Sequence, residues 1–342
     1  MCFELSESDQ CYSSDDILLT MLISRKILFI APEYFNYSIL IKNAIRSMGG
    51  SVDLFYNRPT SKLSKLFFVF RKETYEKIKN RYFKRLLKHI TAKDYDYVLI
   101  IRADLIPSYF LLQLKERFEK AKFIHYIWDD IHLFPKILDS LHYFNRVLSY
   151  NLIDCKKFGL VFRPFFFTDL KVSPVVKNSH LVELFFIGSY HTDRMQVLEK
   201  IKTFNPQIKI YFHFYINLVT FLFHGIPLTK RSQFRFRKMK YSEMINTMKN
   251  SAAVLDIQNI AQNGLTTRIF EALGAETKIV TTNSNILHYD FYNSKNVLII
   301  DRNNPVIEKS WLDAPYEEYD INLLKKYHIK NWIMEVFDIQ DT

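Results

Sequence analysis

Asn263-Gly264-Leu265-Thr266-Thr267-Arg268-Ile269-Phe270-Glu271-Ala272-Leu273-Gly274-Ala275-Glu276, followed at once by Lys278-Ile279-Val280-Thr281-Thr282-Asn283, is the stretch that decides how the chain is read. A glycine loop opens a helix, and Gly274 near its end releases the chain into a buried strand. At about 100° per residue, Leu265, Ile269, Ala272 and Leu273 share one apolar face. Thr267, Arg268 and Glu271 lie on the other side, away from a sheet. The first turn of such a helix presents backbone N–H groups that suit a phosphate, and a glutamate one turn further in suits the hydroxyls of a sugar. An ordinary surface helix carrying an i,i+3 Arg–Glu pair accounts for the same spacing, and geometry alone does not choose between the two.

Outward from this motif the chain alternates strands and helices, which predicts parallel sheets covered on both sides. Towards the N-terminus, strands are expected at Ala252–Ile257, Lys209–Tyr215 and Val182–Ile187, with helices at Tyr241–Lys249 and Arg194–Phe204. An earlier half shows the same rhythm. Its strands are expected at Lys26–Ala31, Ser51–Tyr56, Tyr95–Arg102, Lys122–Trp128, Arg146–Tyr150 and Val161–Phe166. A helix is expected at Ser38–Met48, a long basic and aromatic helical region over 61–92, and another helix from Pro107 to about Lys120. Towards the C-terminus, Val297–Asp301 reads as a late strand and Tyr319–Phe337 as terminal helices. The division expected is an N-terminal extension over residues 1–24, a first domain over 25–168, a linker over 169–181, a second domain over 182–309 and terminal helices over 310–342.

"GLTTRIFEALGAETKIVTTN" resembles the nucleotide-sugar-binding segment of GT-B glycosyltransferases of the capsule and lipopolysaccharide type, related to the group 1 and CgeB-like families. Those families share Gly, Arg and Phe-Glu-Ala-Leu before a strand, and Glu271 matches the glutamate that holds the donor ribose. Asn263 stands where many retaining members carry a second glutamate. "FFIGSYHTDR" is similar to the strand-loop-helix of CgeB-like proteins, where a small pair lets the backbone approach the donor diphosphate and an arginine follows. Gly188 and Ser189 match the small pair, and Arg194 the arginine. With the two α/β halves, the resemblance implies a GT-B fold: two Rossmann-like domains with a cleft between them. It assigns Gly188, Ser189, Arg194, Gly264, Thr266, Thr267, Arg268 and Glu271 to the donor.

Acids that could activate an acceptor hydroxyl stand at the C-terminal ends of expected strands, where chemistry belongs in such folds. Glu33 follows the first strand, Asp104 follows "LIIRAD", and Asp129 and Asp130 follow "IHYIWDD". Asp129, Asp130 and Glu33 are the catalytic candidates. Asx turns, caps and salt bridges are the commoner uses of such residues. Trp128 suits a stacking platform for an acceptor sugar, but a buried core side chain is the commoner use of a tryptophan. The histidines lack metal-ligand spacing and there is no DxD, so no metal and no cofactor is called for beyond the nucleotide-sugar as substrate. Arg268 and Arg194 are the candidates to neutralise the diphosphate in its place. Asp301-Arg302 reads as a turn cap.

The chain has 342 residues, more than a comfortable single core, which favours two domains of roughly 150 residues. A formal charge of +11 favours anionic partners. Aromatics make up 16% and glycines number seven. Cys2, Cys11 and Cys155 are an odd, scattered set that argues against a zinc site or a disulfide framework and suits a reducing cytoplasm. Residues 1–20 are polar and acidic without the basic start of a secretory signal, and Met21 directly precedes the first apolar run, so the fold is expected to begin there. Ile210–Leu228 is apolar over about one membrane width, but His213, Asn217, His224, Gly225 and Pro227 interrupt it. Lys230, Arg231, Arg235, Arg237, Lys238 and Lys240 follow. Peripheral contact with an anionic membrane fits this segment, as does a core strand with a solvated basic loop.

The resemblance implies a cytoplasmic glycosyltransferase, free or docked at the inner face of the membrane. It would move a sugar from a nucleotide-sugar to a saccharide or lipid-linked acceptor in capsule, exopolysaccharide or lipopolysaccharide assembly. A GT-B nucleotide-sugar epimerase, or a non-catalytic protein binding nucleotide-sugar or nucleic acid, stays open as the alternative. Neither an RNP nor a helix-turn-helix signature supports nucleic acid as a partner.

Overall fold

The computed structural model describes residues 21–33, 36–61, 64, 67–68, 71–90, 93–168, 182–217, 221 and 228–339. Residues 1–20 of the expected extension over 1–24 and the expected linker over 169–181 lie outside them, as does part of the apolar stretch 210–228. Two six-stranded parallel sheets organise the chain.

The first sheet has the order β2-β1-β3-β4-β5-β6. Its strands are β1 Lys26–Ala31, β2 Ser51–Tyr56, β3 Tyr97–Ile101, β4 Lys122–Ile127, β5 Arg146–Ser149 and β6 Val161–Phe162. The continuous apolar runs of β1 and β3 are buried almost end to end, as parallel strands covered on both faces require. Helices α1 Tyr37–Ser47, α2 Lys72–Ile90, α3 Ser108–Arg117 and α4 Leu152–Phe158 connect them. Gly49, at φ +87°, turns the chain between α1 and β2, a conformation that favours glycine. The helix expected over 61–92 is continuous only from Lys72 to Ile90 among the described residues. The strand expected over 161–166 shortens to two residues, and Phe165, Phe166 and Phe167 enter the core instead.

The second sheet runs β12-β11-β10-β7-β8-β9. It is made of β7 Val182–Ser189, β8 Ile210–Tyr215, β9 Phe234–Arg235, β10 Ser251–Asp256, β11 Lys278–Thr281 and β12 Val297–Ile299. Numbered within that half, the order is 6-5-4-1-2-3, the dinucleotide-binding arrangement whose direction reverses between its first and fourth strands. Here those are β7 and β10, paired through Leu184↔Ala253, Phe185↔Val254 and Phe186↔Leu255. Helices α5 Thr192–Phe204, α6 Tyr241–Lys249 and α7 Thr267–Gly274 accompany the sheet, and α8 Lys309–Asp313, α9 Ile321–Tyr327 and α10 Ile329–Phe337 close the chain.

The chain divides into two compact units. One holds Met1–His125, Ser140–Arg146 and Ile333–Thr342, and the other Tyr126–Asp139 and Val147–Trp332. The first has its core around Leu28, Ile30, Phe83, Val98, Ile100 and Phe110. Leu22 is also buried in this unit, its amide bonded to the Met48 carbonyl. The second unit has one core around Leu184, Phe186, Leu198, Phe214 and Leu255. It also carries an aromatic cluster in which Tyr150 stacks on Phe165 at 4.6 Å and Trp128 meets Phe165 at 4.5 Å. Tyr126 and Phe166 both close on Trp332.

Candidate functional site

The motif that opened the sequence reading folds as a loop, helix α7 and strand β11, all in the second unit. Its apolar face is where the periodicity put it: Leu265, Ile269, Ala272 and Leu273 are buried. Thr266 is the N-cap residue of α7, but its hydroxyl does not turn back to cap the helix. It donates instead to Asp256 Oδ1 at 2.7 Å. The first-turn amides are therefore not consumed by a side-chain cap, the condition under which a helix start receives an anion.

Asp256, the last residue of β10, is fully buried and gathers three donors from two later segments. Besides Thr266 it accepts from Thr281 Oγ1 at the end of β11, at 3.1 Å, and from the Arg268 guanidinium, its ion-pair partner. Arg268 is itself 11% exposed and lies over the Phe186 ring, 5.1 Å from its centre. Gly188 makes that placement possible. A Cβ there would stand 3.1 Å from Arg268 Nη2 and 3.0 Å from Phe186, tighter than nearly all real Cβ contacts. Gly188 and Arg268, eighty residues apart in sequence, thus meet at the end of β7 beside β10, at the reversal in strand order.

Arg194 sits in the first turn of α5. Its Nε donates to the Ile257 carbonyl at 2.8 Å and its Nη1 to the Ser189 carbonyl at 3.3 Å. It ties the loop after β7 to the loop after β10. Glu271 is buried, and its Oε2 accepts from the Tyr241 hydroxyl at 2.7 Å, which in turn shares a 2.6 Å bond with Thr168 Oγ1. So α7 directs its arginine to Asp256 and its glutamate to Tyr241.

Asp130 is fully buried after β4. One oxygen accepts from the Tyr150 hydroxyl and the other from the Asn263 amide, the latter at 2.7 Å. The Tyr150 ring lies against Gly264, where any Cβ would overlap it. Burial first, and then Asp130, drive the Tyr150 phenol well above its usual range, which keeps it a donor. From the other side Asn285 Nδ2 holds the Asn263 carbonyl at 2.9 Å, and Asn283 Nδ2 reaches the carbonyls of Asn263 and Gly264. The loop before α7 is clamped between these groups. At the far end of the helix, Gly274 lies against Phe167 in the same manner.

Asp129 and Trp128 are half-buried beside Asp130, with Trp128 in the aromatic cluster. Glu33 is exposed after β1 in the first unit, and Asp104 pairs with Arg102 at 2.8 Å. Thr267 is half-buried at the start of α7. Asp301 caps a turn by accepting from the amides of Asn303 and Asn304, as expected. In the basic segment, Arg235 donates to the carbonyls of Ser232 and Phe234, and Lys238 lies over Tyr215. Asp256, Tyr150 and Tyr241 escaped the sequence reading. Asp256 carried a usable signal, an acid ending the apolar run 252–255, the same signal that picked out Asp129 and Asp130. No helix among the described residues is long and apolar enough to cross a membrane.

No protein-family model matches the chain, and no curated protein matches it by sequence. Solved structures match its fold. The N-terminal domain of trehalose-6-phosphate phosphatase from Candida albicans superposes with a TM-score of 0.55 at 10% identity, over 94% of this chain and 98% of that one. AviGT4, a glycosyltransferase involved in avilamycin A biosynthesis, gives 0.55 at 8% identity over 92% and 97%. UDP-N-acetylglucosamine 2-epimerase from Rickettsia bellii gives 0.51 at 10% identity over 92% and 96%. At such identities the likeness is one of fold, and a fold shared by a phosphatase domain, a glycosyltransferase and an epimerase leaves the chemistry to be argued from the site. The two parallel six-stranded sheets with their interleaved helices are the GT-B pair of Rossmann-like domains.

Proposed function

We propose that the protein is a glycosyltransferase of cell-surface polysaccharide assembly. It would take a sugar from a nucleotide-sugar to a saccharide or lipid-linked acceptor, in the cytoplasm and in peripheral contact with an anionic membrane face. The observation that carries this reading is the β7/β10 strand end. There Gly188 opens the backbone, Arg268 is held by Asp256, and the start of α7 keeps its amides clear of a side-chain cap. Such an arrangement suits a diphosphate, whose charge the guanidinium and the helix start would meet without a metal ion. Arg194 would act on the same group indirectly, by shaping the two loops it bonds. Glu271 would take the ribose hydroxyls beside Tyr241.

For the transfer itself, an acceptor hydroxyl attacks the anomeric carbon, the bond to the diphosphate oxygen breaks, and a carboxylate removes the hydroxyl proton in an inverting reaction. Asp130 has both oxygens engaged and no exposure, so its part is to position the Asn263–Gly264 loop. Half-buried Asp129 is the favoured base, with exposed Glu33 as the other candidate.

A panel of nucleoside diphosphates and nucleotide-sugars tests the donor assignment by thermal stabilisation, since a ligand at 100 times its dissociation constant adds ~2.7 kcal/mol. Glu271→Gln should weaken the stabilising nucleotide about ten- to a hundredfold, the worth of a charge-assisted hydrogen bond of ~1.5–3 kcal/mol. Unchanged affinity in that folded variant would falsify the donor site. Conversion of the nucleotide-sugar with no acceptor present would identify an epimerase instead.

A further inference from the structure

Helix α2 presents a face that the donor site does not use. Lys77, Asn80, Arg81, Lys84, Arg85 and Lys88 are all exposed and line a shallow open concavity of about 450 Å³. Their spacing of three and four puts them on one side of the helix, over roughly 16 Å at 1.5 Å per residue. Five are cations and none is an acid. The nearby Glu76 is paired with Lys79 off this face, at 2.6 Å. Among the described residues no ion pair holds Lys77, Arg81, Lys84 or Arg85. The opposite side of α2 buries Tyr75, Phe83, Leu86 and Ile90, with Phe83 edge-on to Phe110, so the cations cannot rotate inward. Like charges at this spacing repel and weaken a helix, a cost that a polyanionic partner reverses.

We propose that this face docks the protein on a bilayer with anionic headgroups. What favours a bilayer over a nucleic acid is the apolar flank. The Tyr109 hydroxyl bonds the Asn80 carbonyl at 3.3 Å, which brings α3 alongside, and Leu112 one turn further along α3 is 48% exposed. An aliphatic side chain beside lysines and arginines inserts at the headgroup boundary while the cations meet lipid phosphates. The inference deepens the peripheral-contact reading and moves the contact from the 230–240 segment to α2. It needs no donor chemistry.

The test is co-sedimentation of the full chain with phosphatidylcholine vesicles, with and without phosphatidylglycerol, and with melting curves to confirm that each variant is folded. The parent should bind only the phosphatidylglycerol vesicles, and added salt should release it. Replacing Arg81, Lys84 and Arg85 together by glutamine should lower partitioning about tenfold or more, whereas Arg235→Gln with Arg237→Gln and Lys238→Gln should leave it at the parent level. Parent-like binding by the α2 variant, equal binding to neutral vesicles, or capture of RNA in place of vesicles through the same three side chains overturns the proposal. Loss of binding in the 235–238 variant alone would keep the peripheral contact and refute its assignment to α2. A parent that binds no vesicle refutes both.

Discussion

Each sheet reverses its strand order once, and the two reversals are furnished differently. Where β1 meets β3, Glu33 leaves the strand exposed, and Arg102 closes on Asp104 only two residues away. Where β7 meets β10, Asp256 is sealed from solvent and collects Thr266, Arg268 and Thr281, from two later segments of the chain. A pair between near neighbours holds one turn. A buried carboxylate shared by distant segments fixes the positions of all of them, and removing it leaves Arg268 charged in a dry place.

The sharpest way to break this contrast is to remove the charge. Asp256→Asn should cost about 3–5 kcal/mol of stability, the usual penalty for stranding one member of a buried ion pair. Glu33→Gln should stay within about 0.5 kcal/mol, as an exposed substitution does. Urea unfolding of the two variants measures both, and similar losses would show that the two reversals do not differ in kind.

Gly264→Ala comes next. Its methyl group would enter the Tyr150 ring, and overpacking of that kind should cost about 3 kcal/mol. Gly188→Ala, whose neighbours need give by only a few tenths of an ångström, should cost about 1 kcal/mol. The order should reverse for ligand affinity, because a methyl group at position 188 would stand 3.1 Å from Arg268 Nη2. Melting curves with and without the stabilising nucleotide separate the two scales.

The smallest effect belongs to the first unit and to acid. His125 is fully buried, accepts the Ala103 amide at 3.2 Å beside the Arg102 turn, and has its pKa pushed by burial down to about 3. Its folded value therefore lies below its unfolded value. Between about pH 6.5 and 3 the unfolded chain binds a proton that the folded chain refuses, so this contribution is complete above pH 6.5 and is lost as pH falls. The slope should approach about 1.4 kcal/mol per pH unit. His125→Gln keeps an acceptor for Ala103 and takes no proton, so its stability difference between pH 7.5 and 5.5 should be smaller than the parent's by about 1.4 kcal/mol, the slope being reached only below pH 6.5. An unchanged difference would place the acid sensitivity elsewhere.

The fold was legible where burial is continuous. Lys26–Ala31 came out to the residue because a strand covered on both faces is apolar throughout, and the partly exposed edge strand Ser51–Tyr56 did so because Gly49-Gly50 marks its start. Helix α4 was missed although Asn151 caps it and Gly159 ends it at φ +66°, since seven residues are too few to show a period. At the site, the sequence named Gly188, Gly264, Arg268 and Glu271 but not what holds them. Asp130 reaches Asn263 across 133 residues and Tyr241 reaches Glu271 across 30, and no local pattern encodes a partner at that distance. The same local view presented Asp130 as a base, when its two oxygens serve Tyr150 and the Asn263 amide.

Gly264 and Gly274 each press against an aromatic ring, Tyr150 at one end of α7 and Phe167 at the other. Two of only seven glycines in the chain are thus set by steric fit to neighbouring rings. Purifying selection would keep both in any relative that still folds, including one that has lost its reaction. A motif scan that counts these glycines therefore reads the fold and not the reaction, whereas under the proposed function substitutions at Arg268, Glu271 and Asp129 would be the ones that tell a working descendant from a silent one.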